Sequence, residues 1–320
     1  KTNSTYSSFG IRVVRLANLA TNDSTYDASN DYTAGNAPRF YEPPTVTIHD
    51  YGIRTFITVG IASGDRSTPL DVYPLTGREG MSPRPALSGR PVNNVYGIID
   101  KDFIKKNLMS LADNQLETKD ITRLTLRKNP QILRSGETRV AQIFFPNTGV
   151  GQSGWYRSLS SMSDGTEKAN NSFRIKGGLK AFEEPMAVTG TLIVPVYDPQ
   201  GTGIVAADPC LPRVVGETDQ QTFCLPFGAC LNSDGSIDQN KENGSGFKTQ
   251  TGTNCPVGAS ECNKNVIGSG IRGVTFVPTE DNPPATNSCG KLKLSGNESG
   301  TGEWQCTSHL VPARWYERYR

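Results

Sequence analysis

Apolar and polar residues alternate along most of this chain in short runs, and Gly, Asn, Ser and Pro separate one run from the next. FGIRVVRLANL (Phe9 to Leu19) carries the alternation of a half-buried strand. Thr45 to Ile48 and Arg54 to Ile61 flank Asp50-Tyr51-Gly52 as the two arms of a hairpin, and VYGIIDKD (Val95 to Asp102) predicts a further strand. ITRLTL (Ile121 to Leu126), VAQIFF (Val140 to Phe145) and FRIKGGLKAF (Phe173 to Phe182) follow in the same style, then a hairpin over Ala187 to Tyr197 turning at Thr189-Gly190. Strand patterning fades between Asp208 and Cys262 into Gly, Asn, Ser, Asp and Cys, which predicts an elaborated loop. It returns in GIRGVTFVP (Gly270 to Pro278) and KLKLSG (Lys291 to Gly296). One stretch has helical spacing: from Asp102 to Leu116, Ile104, Leu108, Leu111, Ala112 and Leu116 share a face behind Asp102 as N-cap, a helix-containing insert at about 102–118.

Composition narrows this to an all-β domain. With 320 residues, 35% of them hydrophobic, the chain can bury a sizeable core, while 33 glycines and 21 prolines leave room only for short elements. That cadence fits a sandwich or a propeller equally. A net charge of +2, with basic and acidic residues interspersed, leaves no nucleic-acid footprint. No apolar run approaches the roughly 20 residues that span a bilayer, and KTNSTYSSFG lacks the organisation of a signal peptide, so an export signal is expected upstream.

All seven cysteines, Cys210, Cys224, Cys230, Cys255, Cys262, Cys289 and Cys306, fall in the loop-rich last third, the pattern of a disulfide-stapled, exported protein. Zinc is disfavoured because no CxxC pair occurs and His49 and His309 are the only histidines. Pairing Cys224 with Cys230, Cys255 with Cys262 and Cys289 with Cys306 would order the shortest loops, leaving Cys210 over, although spacing does not fix connectivity.

Motifs for chemistry are few. Gly268 to Gly273 spells the dinucleotide fingerprint, but a β-branched run follows where a helix must begin. Gly151-Gln152-Ser153-Gly154-Trp155 imitates a nucleophile elbow and has Trp where its second Gly belongs. Without paired carboxylates or a hydrolase histidine, no enzyme is expected. The metal candidate is Asn232, Asp234, Ser236 and Asp238: alternate oxygens around Gly235, with Ile237 beyond it, imitate the centre of a calcium loop. Its ends depart from that pattern, since Cys230 falls at the first position and Lys241 at the twelfth, unless Glu242 substitutes; a plain Asn-Asp-Gly turn is the alternative. Asp100-Lys101-Asp102 could also supply carboxylates. Trp155-Tyr156 and Trp315-Tyr316 suit core packing better than an exposed binding face.

Several stretches together carry a resemblance. Trp155, Tyr156 and Leu159 within GWYRSL, the run from Pro185 to Pro199, and Asp208-Pro209-Cys210 stand in order after RVVRLANL, EPPTVTI, ITVGIASGDR and NNVYGIIDKD. In these the chain resembles the C-terminal β-propeller of the PilC/PilY adhesins of type IV pilus tips, with a looser match at Arg314, Trp315 and Glu317. The resemblance implies a quinoprotein-like propeller of which residues 1–320 form the later part, with a disulfide-rich loop region at about 208–262 and the first half of the ring upstream; the family's D-x-D calcium loop, expected immediately before the strand matching Phe9 to Leu19, lies upstream too or is replaced by KTNSTYSSFG. It implies an exported protein at the pilus tip, cell surface, outer membrane or periplasm of a Gram-negative bacterium. Such a protein supports pilus biogenesis beside minor pilins and attaches the cell to a host receptor, with calcium as a regulator. A structural assembly factor that touches no receptor and a quinoprotein-like enzyme are the alternatives.

Overall fold

The computed structural model describes residues 15–19, 38–64, 66, 93–103, 105, 111–118, 120–159, 179–198, 216–243, 245–246, 249–251, 261–263, 266–271, 275–278, 291–295 and 303–305. Its strands are β1 (Thr45–Tyr51), β2 (Arg54–Ala62), β3 (Asn94–Asp100), β4 (Arg127–Lys128), β5 (Gly154–Ser158), β6 (Lys180–Ala181), β7 (Met186–Val188), β8 (Thr191–Asp198) and β9 (Glu217–Cys224). They continue with β10 (Thr249–Thr251), β11 (Glu261–Asn263), β12 (Val266–Ser269), β13 (Thr275–Pro278), β14 (Lys291–Ser295) and β15 (Glu303–Gln305). Two short helices, α1 (Val140–Phe144) and α2 (Gln239–Glu242), are the α-helical segments among the described residues. The protein is all-β, and its sheets are open, as in part of a propeller.

The first sheet runs β1-β2-β3-β5-β4 and the second β12-β9-β8-β6, with β7 also on β8. The hairpin predicted around Gly52 is present in full register from Thr45↔Gly60 to Tyr51↔Arg54, and Gly52 takes the positive φ of 62° that its turn needs. The hairpin at Thr189-Gly190 is likewise formed, Val188 pairing with Thr191.

Alternation sorts the first sheet's side chains onto two faces. Phe56 and Ala62 of β2, Val95 and Ile99 of β3 and Trp155 of β5 enter a core with Leu192, Val194 and Val196 of β8 and Phe223 of β9, so the two sheets share one interior. Tyr96, Ile98 and Tyr156 point the other way, into a second core with Leu19, Ile121 and Leu126. β3 and β5 are thus buried on both faces, whereas β1, at the edge of the sheet, leaves Val46 and Ile48 exposed.

Four elements depart from the pattern-based expectation. VAQIFF forms α1 instead of a strand, because Val140, Ala141 and Phe144 are spaced to bury one helical face; a short apolar run is ambiguous between the two periods. ITRLTL contributes a bridge from Ile121 to Ala17 and a 3-10 turn at Arg123–Thr125. In the 102–118 insert, the described residues form a turn after Asp102 and a 3-10 turn at Asp113–Gln115, while residues 106–110 lie outside the described set. Finally, the stretch expected as loop from Asp208 holds β9, an inner strand between β8 and β12. Of the expected strands Phe9 to Leu19 and Phe173 to Phe182, residues 9–14 and 173–178 lie outside the described residues.

Candidate functional site

Beyond β9 the chain makes a seven-residue loop, Cys224 to Cys230, closed by a disulfide between its ends. This is one of the local pairs expected from spacing; Cys262 is described only as backbone in β11, and Cys210, Cys255, Cys289 and Cys306 lie outside the described residues. The loop leaves the second sheet and seats Pro226 and Gly228 on β5 of the first. Trp155 Nε1 donates to Pro226 O at 2.8 Å. Phe227 stacks on Phe144, with ring centres 5.4 Å apart, and meets Tyr51, Phe56 and Phe145 around it.

Trp155 lies between two glycines. Gly97 faces it across the β3–β5 ladder and Gly228 covers it from the loop, and a Cβ at either position would overlap the indole. Gly228 also holds a φ of 71°. The YGI glycine, the GWY tryptophan and the disulfide loop are therefore one packing unit. Gly97→Ala is expected to lower stability by about 1–3 kcal/mol through overpacking, measured by urea denaturation. An unchanged midpoint would show that the indole has room to move.

Behind the loop sits a buried ion pair. Arg157 Nη1 lies 2.7 Å from Glu242 Oε1, with side-chain exposures of 2% and 10%. The same nitrogen donates to Ser245 Oγ at 2.9 Å and Gly228 O at 3.1 Å, and the guanidinium lies 5.1 Å from the centre of the Phe223 ring. Glu242 Oε2 accepts from Cys230 N at 3.0 Å. Burial pulls the Arg157 pKa down against the opposing charge of Glu242.

The calcium candidates occupy the turn just after the disulfide. Leu231 bridges Ile237, and Asn232 N donates to Ser236 O at 2.9 Å. Asp234 Oδ1 accepts from Ser236 N and Oγ, and these bonds, the hydroxyl's first, hold its pKa below the ordinary carboxylate value. Asp238 Oδ1 caps α2 by accepting from the amides of Lys241 and Asn240, which lowers its pKa too. Glu242, the one substitute for the missing closing carboxylate, is spent on Arg157 and Cys230. As folded, these residues make the self-bonded Asn-Asp-Gly turn, with Glu242 turned away from it. Melting temperatures in chelator and in millimolar calcium are accordingly expected to agree; a calcium-dependent rise abolished by Asp234→Ala would overturn this.

Asp100-Lys101-Asp102 closes the far end of β3. Asp102 Oδ2 accepts from the amides of Glu117 and Thr118 at 2.9 and 2.8 Å, and the Thr118 hydroxyl lies 2.7 Å from both Asp100 Oδ1 and Asp102 Oδ2. Asp102 thus ties down the end of the 102–118 insert, where its side chain was expected to cap a helix. Burial alone would raise its pKa, but the bonds from Lys105 and Thr118 prevail and lower it. A depressed carboxylate stabilises fully above its ordinary value of 3.8 and loses that contribution as pH falls through the lower folded value. Asp102→Asn is therefore expected to flatten the acid limb of a stability-against-pH curve between 3.8 and that lower value, and an acid limb identical to the parent's would refute the assignment. Beside it, Lys101 Nζ donates to Phe144 O at 2.8 Å and Val150 O at 2.6 Å, and burial pushes its pKa down to about 8.

Trp155 and Tyr156 are fully buried, so this pair serves packing, whereas Trp315 and Tyr316 lie outside the described residues. Among the described residues no helix is long and apolar enough to cross a membrane. Compared with known proteins, the chain matches no family model, no curated protein and no solved structure.

Proposed function

We propose that this chain is the later part of the β-propeller of a type IV pilus tip adhesin of the PilC/PilY kind, acting in attachment and pilus biogenesis by surface recognition. The observation that carries the reading is the packing of the motif strands. β1, β2, β3 and β5, which hold most of EPPTVTI, ITVGIASG, NNVYGIID and GWYRSL, pair in one antiparallel sheet whose strands β3 and β5 are buried on both faces. An inner blade needs neighbours on both sides, which agrees with a ring completed by chain outside these residues. The Cys224–Cys230 disulfide is what an oxidising compartment permits, and it braces the joint between two sheets, a sensible place for covalent closure in a protein loaded by tension.

The test separates attachment from assembly. In the native bacterium, with pilus retraction blocked so that pili persist, deletion of the gene should abolish adherence to epithelial cells while pili are still counted. Undiminished adherence per pilus would overturn the adhesin reading and leave the assembly role, with minor pilins as partners.

A further inference from the structure

The edges of the two large sheets are ended in different ways. β4 and β6 are two residues long and β7 three, and β12 has four with a register shift between Val266 and Gly268. Shortness and irregularity are the means by which a sheet avoids adding a foreign strand. β1 has neither. Its seven residues stand in unbroken register with β2, and on its outer side no backbone hydrogen bond is formed among the described residues. From Thr45 to His49 it carries no Lys, Arg, Asp or Glu, and Val46 and Ile48 are 57% and 62% exposed.

A row of outward N–H and C=O groups is answered in full only by another extended backbone. The sequence of β1 selects which one. Pro43 and Pro44 have no N–H to give and close off its start, while Asp50 sets a charge at its end, so the usable edge is Thr45 to His49. That stretch is complementary to itself. Paired antiparallel about Thr47, it sets Val46 opposite the partner's Ile48 on the open face and Thr45 opposite the partner's His49 on the other. Apolar then meets apolar, uncharged polar meets uncharged polar, and Asp50 falls opposite the partner's Pro44, outside the ladder. Centring the pair on Ile48 instead would press Asp50 against the partner's Val46.

We infer that β1 is a self-association edge, through which two copies of this chain join antiparallel about a two-fold axis at Thr47. Such pairing consumes both β1 edges at once, so the assembly closes at a dimer. The inference goes beyond the adhesion reading and does not rest on it.

Sedimentation velocity of the full chain over a concentration series tests it, and a monomer–dimer equilibrium is the expected result. Val46→Lys combined with Ile48→Lys in one chain sets like charges across the seam on both sides of the axis, and should abolish the dimer with the monomer's melting curve unchanged. A mixture of the single variants Val46→Lys and Ile48→Glu brings opposite charges together across the same seam. It should form a mixed dimer more tightly than either variant pairs with itself. This mixture decides even where the double variant is less stable, because each of its chains carries one exposed change. A parent that stays monomeric at every concentration would overturn the proposal, as would a dimer untouched by the double change or association that runs on past two copies. A mixed pair no tighter than the single variants alone would overturn the register about Thr47.

Discussion

Replacing Glu242 with alanine is expected to cost about 3–5 kcal/mol of stability, the penalty for stranding a buried charge. Arg157 is 2% exposed and would lose its counter-charge, and the Cys230 amide would lose its acceptor in the same step. The loss is a large fraction of the ~5–15 kcal/mol that holds a typical domain together, so the variant should unfold at much lower urea. The double change Arg157→Met with Glu242→Leu should recover most of the loss, because removing both charges also removes the desolvation they impose. A single Glu242→Ala variant within about 1 kcal/mol of the parent, the range of an exposed pair, would show that water reaches Arg157.

Cys224→Ser is expected to cost roughly 2–4 kcal/mol, a usual value for losing a structural disulfide. The bond spans six positions of sequence, and what it closes is the loop that presents Pro226 O to Trp155, Phe227 to the aromatic cluster and Gly228 to the indole and Arg157. Reduction of the native protein should act in the same direction, with a gain in Trp155 exposure followed by fluorescence. Because the disulfide and Glu242 hold the same loop, the two losses should fall short of additive when combined. A Cys224→Ser variant with parental stability and buried indole would mean that the loop seats without its covalent closure.

The hairpins at Gly52 and Thr189-Gly190 were legible because β-rich runs flank a turn residue, and the YGIIDKD strand because it is a short β-branched apolar run, both local properties. β9 was not. ETDQQTFC has the composition of a surface loop, yet Glu217, Thr218, Asp219, Gln220 and Gln221 are all buried, because β9 lies between β8 and β12. Glu242 shows the same limit: offered by spacing as a calcium ligand, it turns inward to Arg157, 85 residues away along the chain, a partner no local pattern announces.

By itself the sequence determined the all-β class and the positions of most first-sheet strands, and it offered Cys224 with Cys230 among the shortest loops to close, because strand period, turn chemistry and loop closure act over a few residues. Only the tertiary structure decided that Gly97 and Gly228 enclose Trp155, that polar β9 is an inner strand, and that Arg157 and Glu242 neutralise each other behind the disulfide loop. Those outcomes depend on which faces are excluded from water together, and that exclusion is a property of two sheets meeting, absent from either strand alone.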